Sequence, residues 1–146
     1  MIRLANKFDK PDIIEMLRLF KQESPFTDYK SLENVEYINK LLDSILAGQG
    51  VIFIEPNVGI IIGFISPTIW SDKIYFMQEL AWFVKPNYRQ GTAGYRLLLA
   101  YIKYAKDLKE QKRINFYTIT KMTTSPNVKY EKYGFKKIEE CWISHD

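Results

Sequence analysis

The middle of the chain places the strongest constraint on the fold. An apolar run rich in β-branched and aromatic residues covers residues 74–84, and a loop containing Gly91 and Gly94 follows it. Apolar residues then recur every three or four positions over residues 93–109, which predicts a helix, and a second strand pattern covers residues 114–120. A strand, a crossover helix and another strand favour a parallel pair with a right-handed connection. The segment therefore predicts an α/β architecture.

The flanking regions predict further elements on both sides of this unit. Short turns at residues 56–57 and 70–73 separate three consecutive strand patterns, which predicts an antiparallel meander. Asp9 as a cap and Pro11 in the first turn are typical of a helix start. The predicted order is β-α-α-β-β-β-α-β-α-β, a mixed central sheet flanked by helices. Strands are predicted at residues 1–5, 51–54, 58–65, 74–84, 114–120 and 135–143, and helices at residues 11–22, 31–47, 93–109 and 126–133.

Composition narrows the class of protein. The chain has 146 residues, 47% hydrophobic and 26% charged, so we expect a single globular domain over residues 1–146. The one cysteine, Cys141, excludes an internal disulfide, fits a reducing compartment and is expected in the core. The longest apolar run, residues 58–65, is far shorter than the roughly 20 residues that cross a bilayer. With no secretory signal pattern at the start, we expect a cytoplasmic protein without a membrane partner.

The loop before the long predicted helix is physically suited to an anion. The first N–H groups of a helix lack intrahelical acceptors, and the helix dipole adds partial positive charge there. Gly91, Ala93 and Gly94 leave the approach to the backbone open, and Arg89 adds a charged donor. A glycine-containing helix cap without a ligand would have the same local sequence. The loop alone therefore leaves both interpretations open.

Two motifs, one on each side of the long predicted helix, carry a resemblance to a known family. The first is Val84-Lys85-Pro86-Asn87-Tyr88-Arg89 followed by Arg89-Gln90-Gly91-Thr92-Ala93-Gly94, at the end of a strand and the start of a helix. The second is Asn127 with Tyr130-Glu131-Lys132-Tyr133-Gly134-Phe135. With these motifs in this order of elements, the chain resembles the GNAT superfamily of N-acetyltransferases. Thr92 is a departure, since the family has its central loop glycine there.

The resemblance implies acetyl-CoA as the co-substrate. Backbone amides from Gln90 to Tyr95 would hold the pyrophosphate, and the strand end would hydrogen-bond the pantetheine arm as an added strand does. The implied cofactor-binding residues are Phe83, Val84, Arg89, Gln90, Gly91, Thr92, Ala93, Gly94, Tyr95 and Asn127. Many relatives continue into a final strand beyond the position of Asp146, so we expect a sheet edge that a partner subunit would cover in a homodimer.

Two residues are candidates for the chemistry of acetyl transfer to an amine. The reaction requires a deprotonated amine and a protonated leaving thiolate. Tyr130 matches the family tyrosine that reaches the thioester sulfur, which implies a general acid, although a core aromatic is the alternative. Glu79 is the only carboxylate within residues 74–84, and several relatives use a Glu on that strand as the base. A bulge or a one-residue slip would turn Glu79 away from the cleft, so its role stays open.

The acceptor is not encoded in any motif. It is expected to be a small-molecule amine or an amine of a peptide or protein, bound near residues 24–30 and the second helix. Trp70, Trp82 and Phe26 would line that pocket or simply pack. Without an Asp/His cluster or a Cys pair, no metal is expected. Two alternatives stay open: a coenzyme A-binding regulatory or scaffold module without turnover, and a nucleic-acid-binding protein, against which the scattered basic residues argue.

Overall fold

The computed structural model, which describes residues 1–26 and 33–144, has a five-stranded sheet in the order β1-β2-β3-β4-β5. The strands are β1 Arg3–Leu4, β2 Gly50–Glu55, β3 Gly59–Pro67, β4 Tyr75–Val84 and β5 Phe116–Thr118, and the helices are α1 Lys10–Glu23, α2 Val35–Ser44 and α3 Ala93–Glu110. Neighbours from β1 to β4 are antiparallel, and β4 pairs with β5 in parallel. The predicted mixed α/β sheet, its meander and its crossover through α3 are confirmed.

Helices cover both faces of the sheet and give two cores. The core under α1 and α2 consists of Ile13, Ile14, Met16, Leu42, Ile45, Ile52, Ile54, Ile60, Ile62, Ala81 and Phe83. The core under α3 consists of Val51, Ile61, Met77, Val84, Ala93, Leu97, Leu98, Tyr101, Ile102, Ala105, Leu108 and Ile114. Successive strand residues point to opposite faces, which is why β2 and β3 contribute to both cores.

The starts of α1 and α2 differ from the sequence expectations. Asp9 precedes α1 but makes no side-chain cap; its carboxylate accepts hydrogen bonds from the Arg3 guanidinium at 2.7 and 2.8 Å and from the Asn6 N–H at 2.8 Å. α2 is capped by Asn34 and continues into a wider helical turn, Ile45–Gln49. Residues 31 and 32, where the second helix was predicted to begin, lie outside the described residues.

The C-terminal part is where the predicted elements are wrong. Only one turn of 3₁₀ helix, Tyr130–Tyr133, forms in place of the helix predicted at residues 126–133. No strand forms between residue 135 and Ser144, so the described sheet has five strands rather than six. The apolar residues here are Phe135, Ile138, Cys141, Trp142 and Ile143, and without a two-residue period they give a strand no continuous apolar face. Cys141 is exposed, and its expected place in the core is wrong for the same reason.

Gly50 allows β2 and β3 to pair closely. A Cβ atom at Gly50 would lie 2.0 Å from the carbonyl oxygen of Gly63. Because that oxygen belongs to the backbone of a central strand, it cannot move aside as a flexible side chain would.

Replacing Gly50 with Ala should therefore lower the free energy of unfolding by about 3 kcal/mol, the cost of overpacking a rigid core. Gly91→Ala is the matched control, because a Cβ there meets nothing nearer than the Tyr88 carbonyl oxygen at 3.6 Å. Urea unfolding of the two variants provides the measurement. Equal losses in both variants would contradict the steric argument.

Candidate functional site

The start of α3 has the features of an anion site. Thr92 precedes the helix with φ −104° and ψ 4°, and its side chain caps none of the helix N–H groups. Its Oγ1 instead accepts a hydrogen bond from Arg96 Nε at 3.0 Å. The first N–H groups of α3 therefore remain available to an anion, which the helix dipole favours. The predicted pyrophosphate-binding stretch, Gln90 to Tyr95, lies at this helix start.

The two glycines at this helix start are not required by the protein's own structure. Neither Gly91 nor Gly94 has a positive φ. A Cβ at Gly94 would make only an ordinary contact of 3.5 Å with a methyl group of Val84, and Gly91 is equally unhindered. Thr92 also has a negative φ, so its β-branched side chain is unstrained. The absence of side chains at Gly91 and Gly94 therefore leaves the backbone accessible from outside, which fits a phosphate group.

Arg89 makes its contacts within the protein. Its Nε donates to the carbonyl oxygen of Val84 at 2.7 Å, and its Nη2 pairs with the carboxylate of Glu23 at the end of α1. The guanidinium also lies over the ring of Phe83, 5.4 Å from its centroid. Two of its nitrogens are thus directed at protein acceptors, and the backbone amides of α3 are the better placed donors for an anion.

The sheet opens between β4 and β5. Their parallel ladder pairs Phe76–Gln78 with Phe116–Thr118 and extends no further. Lys85 donates its N–H to the Val58 carbonyl of the turn before β3 at 2.8 Å. By antiparallel alternation, the backbone groups of Phe83 face β3, while those of Trp82 and Val84 face the opening. The Trp82 backbone groups and the Val84 N–H are therefore available to an extended ligand, whereas the Val84 carbonyl already accepts the hydrogen bond from Arg89.

A bulge at Leu80 determines which side chains face this opening. Ala81 pairs with Ile62 and Glu79 pairs with Gly63, which leaves Leu80 as the extra residue in β4. After Leu80, the side chains of β4 alternate between the two faces of the sheet in the opposite phase. Glu79 consequently lies on the same face of the sheet as Met77 and Val84, the side that packs against α3.

Glu79 is a buried carboxylate at the point where the strands separate. Its side chain is 7% exposed, and Oε1 accepts a hydrogen bond from the Thr120 N–H at 3.0 Å. Oε2 has no hydrogen-bond partner among the described residues. Burial raises the pKa of Glu79 to about 7, while the Thr120 N–H acts in the opposite direction. Such a carboxyl group exchanges its proton near neutral pH.

Tyr130 is held next to the same opening by aromatic contacts. Its ring packs edge-on against Phe135 with centroids 6.4 Å apart, and Phe135 packs edge-on against Tyr117 of β5 at 5.6 Å. Tyr133 on the same turn contacts Tyr95 at the start of α3 at 6.2 Å. Burial raises the pKa of Tyr130, and the negative charge of Glu79 raises it further. The two predicted catalytic residues are therefore close enough to interact electrostatically.

The remaining predicted residues are placed less favourably. Asn127 is exposed, and its Oδ1 accepts a hydrogen bond from Lys121 Nζ at 2.8 Å. Trp70 is 83% exposed, and the indole N–H of Trp82 is buried without a partner among the described residues. Phe26 lines a cavity of about 310 Å³ beside the end of α1. Residues 27–30 of the predicted acceptor loop lie outside the described residues.

Three residues in this region had not been singled out from the sequence. Tyr101 is fully buried, and its hydroxyl donates to the Thr118 carbonyl at 2.7 Å. Thr120 donates its N–H to Glu79, and Glu23 pairs with Arg89. Only the helical spacing of Tyr101 was visible in the sequence, because the other two contacts join distant segments.

The structure also bears on metals and membranes. Within residues 1–26 and 33–144, no three His, Cys, Asp or Glu side chains are grouped to hold a metal ion. None of the helices in those ranges has the length and apolar content that a bilayer crossing requires.

Comparison with known proteins identifies the family. The model of the acetyltransferase (GNAT) family matches residues 13–135, so this chain belongs to that family of acyltransferases, which use acetyl-CoA. The resemblance carried by the two sequence motifs is confirmed. No curated protein sequence matches the chain at a significant level.

Solved structures share the fold at low sequence identity. A transcriptional regulator from Bacillus halodurans C-125 aligns with TM-score 0.69 and 17% identity, covering 100% of this chain and 99% of that one. A predicted acetyltransferase from Clostridium acetobutylicum, solved with acetyl-CoA, has TM-score 0.66, 17% identity and coverage of 100% and 95%. An aminoglycoside acetyltransferase from an uncultured soil metagenomic sample, in complex with trehalose, has TM-score 0.64, 15% identity and coverage of 100% and 96%.

The pKa of Glu79 makes stability depend on pH. Because this pKa is raised to about 7 from its ordinary 4.5, the folded protein retains a proton between these values that the unfolded chain releases. The stabilising contribution is complete below pH 4.5 and is lost as pH rises through about 7.

Glu79→Gln should remove this dependence, because the amide oxygen still accepts the Thr120 N–H but does not titrate. Between about pH 5 and about pH 8, the original protein should lose up to about 3 kcal/mol of unfolding free energy relative to the variant. Urea unfolding of both proteins at the two pH values is the measurement. A parallel loss in both would contradict the assignment to Glu79.

Proposed function

We propose that this protein transfers the acetyl group of acetyl-CoA directly to a primary amine, giving an acetamide and coenzyme A. Acetyl-CoA supplies an acyl group activated as a thioester. The single observation that carries the proposal is the buried carboxyl group of Glu79 at the opening between β4 and β5, near enough to the phenol of Tyr130 for its charge to raise the pKa of that phenol. The two groups suit the removal of one proton and the donation of another.

The cofactor side of the proposal rests on backbone groups. The uncapped start of α3 suits the pyrophosphate, with Gly91 and Gly94 leaving room for it. The open edge of β4, at the Trp82 backbone and the Val84 N–H, suits the amides of the pantetheine arm, in the manner of an added strand. Arg89 and Asn127 belong to the same region and are proposed to shape it, since both already contact protein groups.

Glu79 is proposed as the general base. A pKa of about 7 leaves a substantial fraction of the carboxylate form near neutral pH, and a base with a pKa near the working pH is efficient. Its Oε1 is oriented by the Thr120 N–H, while Oε2 has no partner among the described residues and would accept the proton of the amine. The proton leaves the nitrogen as the nitrogen attacks the thioester carbonyl.

Tyr130 is proposed as the general acid. Its phenol remains neutral and protonated at neutral pH, because burial and the Glu79 charge both raise its pKa. It would donate a hydrogen bond, and then its proton, to the thiolate that leaves when the carbon–sulfur bond breaks. Its ring is held by Phe135, so little orientation is lost on binding.

An amine acceptor is supported by the chemistry of the site and by one similar structure. A base with a pKa near 7 is suited to removing a proton from an ammonium group or an attacking amine. The soil-metagenome structure of similar fold is an aminoglycoside acetyltransferase. The proposed acceptor is a small amine or an amine of a peptide or protein.

Thiol release from acetyl-CoA, measured with a panel of small amines and lysine-containing peptides, tests the proposal. We expect acceptor-dependent release that rises with pH through about 7, as Glu79 loses its proton. Coenzyme A binding without release on any acceptor would support the module without turnover. Salt-sensitive nucleic-acid binding without coenzyme A binding would support the third alternative.

Tyr130→Phe should lower kcat by about 10- to 100-fold, because the leaving thiolate loses its proton donor. The dissociation constant of coenzyme A, measured by calorimetry, should change by less than about twofold, since the ring contacts remain. Tyr133→Phe, on the same 3₁₀ turn, is the matched control and should leave kcat unchanged. An unchanged kcat in Tyr130→Phe would remove this tyrosine from the mechanism.

A further inference from the structure

Glu23, the last residue of α1, places a carboxylate beside the proposed pyrophosphate site. It pairs with the guanidinium of Arg89, which lies four residues before Ala93, the first residue of α3. The two side chains are 43% and 38% exposed. The pair is therefore a surface ion pair between two elements that the sequence separates by 66 positions.

The charge of Glu23 is unfavourable for an anion site when taken alone. Like charges repel within a screening length of about 8 Å at physiological salt. A carboxylate at this place would therefore weaken the binding of a pyrophosphate unless it served another purpose.

Arg89 closes the loop that connects β4 to α3. Its Nε reaches back to the carbonyl oxygen of Val84, at the last position of β4, and its guanidinium rests on the ring of Phe83. These contacts set the path of residues 85–88, because they join Arg89 to the last two residues of β4. A guanidinium can make the Val84 and Glu23 contacts together because its donors form a rigid planar fork.

We infer that Glu23 is a positioning residue for the cofactor loop. By holding the guanidinium of Arg89 against Val84, it fixes the path of residues 85–89, which lead into the start of α3, and so prepares the first N–H groups of that helix for the pyrophosphate. This inference rests on the proposed function. Glu23 strengthens binding through the geometry of the loop, and this gain outweighs the repulsion between its charge and the pyrophosphate.

The effect is expected in affinity rather than in global stability. Exposed ion pairs contribute little to stability, so Glu23→Gln should shift the melting temperature by less than about 3 °C. A loop that is less well prepared before binding pays a larger ordering cost when the ligand binds. The chemistry at Glu79 and Tyr130 lies beyond this loop and should be affected little.

The test compares Glu23→Gln with Glu15→Gln, which removes the same charge from an exposed position on the same helix. We expect Glu23→Gln to raise the dissociation constant of coenzyme A and the KM for acetyl-CoA by about 3- to 10-fold, with kcat within about twofold. Glu15→Gln should change none of these quantities. Unchanged or tighter binding in Glu23→Gln would overturn the inference, since repulsion alone predicts tighter binding.

A double-mutant cycle distinguishes the route through Arg89 from other effects. Arg89→Lys keeps the positive charge but removes the planar set of guanidinium donors. Adding Glu23→Gln to Arg89→Lys should therefore cause no additional loss of coenzyme A affinity. An additive loss would contradict the coupling.

Amide hydrogen exchange of residues 85–92 without ligand should be faster in Glu23→Gln. If the original protein binds no coenzyme A, the proposed function and this inference fail together; if it binds and Glu23→Gln binds equally well, only this inference fails.

Discussion

The separation of β4 from β5 is the constraint on which the site depends. Two strands that part inside a protein leave backbone groups without ladder partners, and buried groups of this kind must find others. Here two side chains supply them: the hydroxyl of Tyr101 donates to the Thr118 carbonyl, and the carboxylate of Glu79 accepts the Thr120 N–H. Glu79 therefore both satisfies a backbone N–H at the opening and supplies the titratable group there.

α3 connects this opening to the proposed anion site. Tyr101 lies eight residues after Ala93 on the helix, which corresponds to about 12 Å along its axis. The buried face of α3 packs on the sheet, so the N–H groups at its start and the hydroxyl in its middle are held at a set separation. A helix that is anchored in this way would hold the proposed extended ligand along β4 without any large movement of the protein.

The fold and the site differed in how far the sequence could predict them. The crossover through α3 followed from hydrophobic periodicity, which depends on neighbours a few positions apart. The predicted final strand was wrong because the apolar residues within 135–143 lack a two-residue period. The direction of Glu79 depends on the bulge at Leu80, and the role of Glu23 depends on a partner 66 positions away. Local patterns contain neither kind of information, since both arise from tertiary pairing.

The bulge at Leu80 also lets one strand perform two structural tasks. Because side chains alternate with a period of two, an inserted residue shifts the phase of everything that follows it. The ten residues of β4 therefore form two halves in opposite phase while both halves keep their hydrogen bonds to β3. The half before the bulge also pairs with β5 in parallel, and the half after it borders the opening. Residues of the two halves consequently share one core, since Met77 and Val84 both pack under α3 although an odd number of positions separates them.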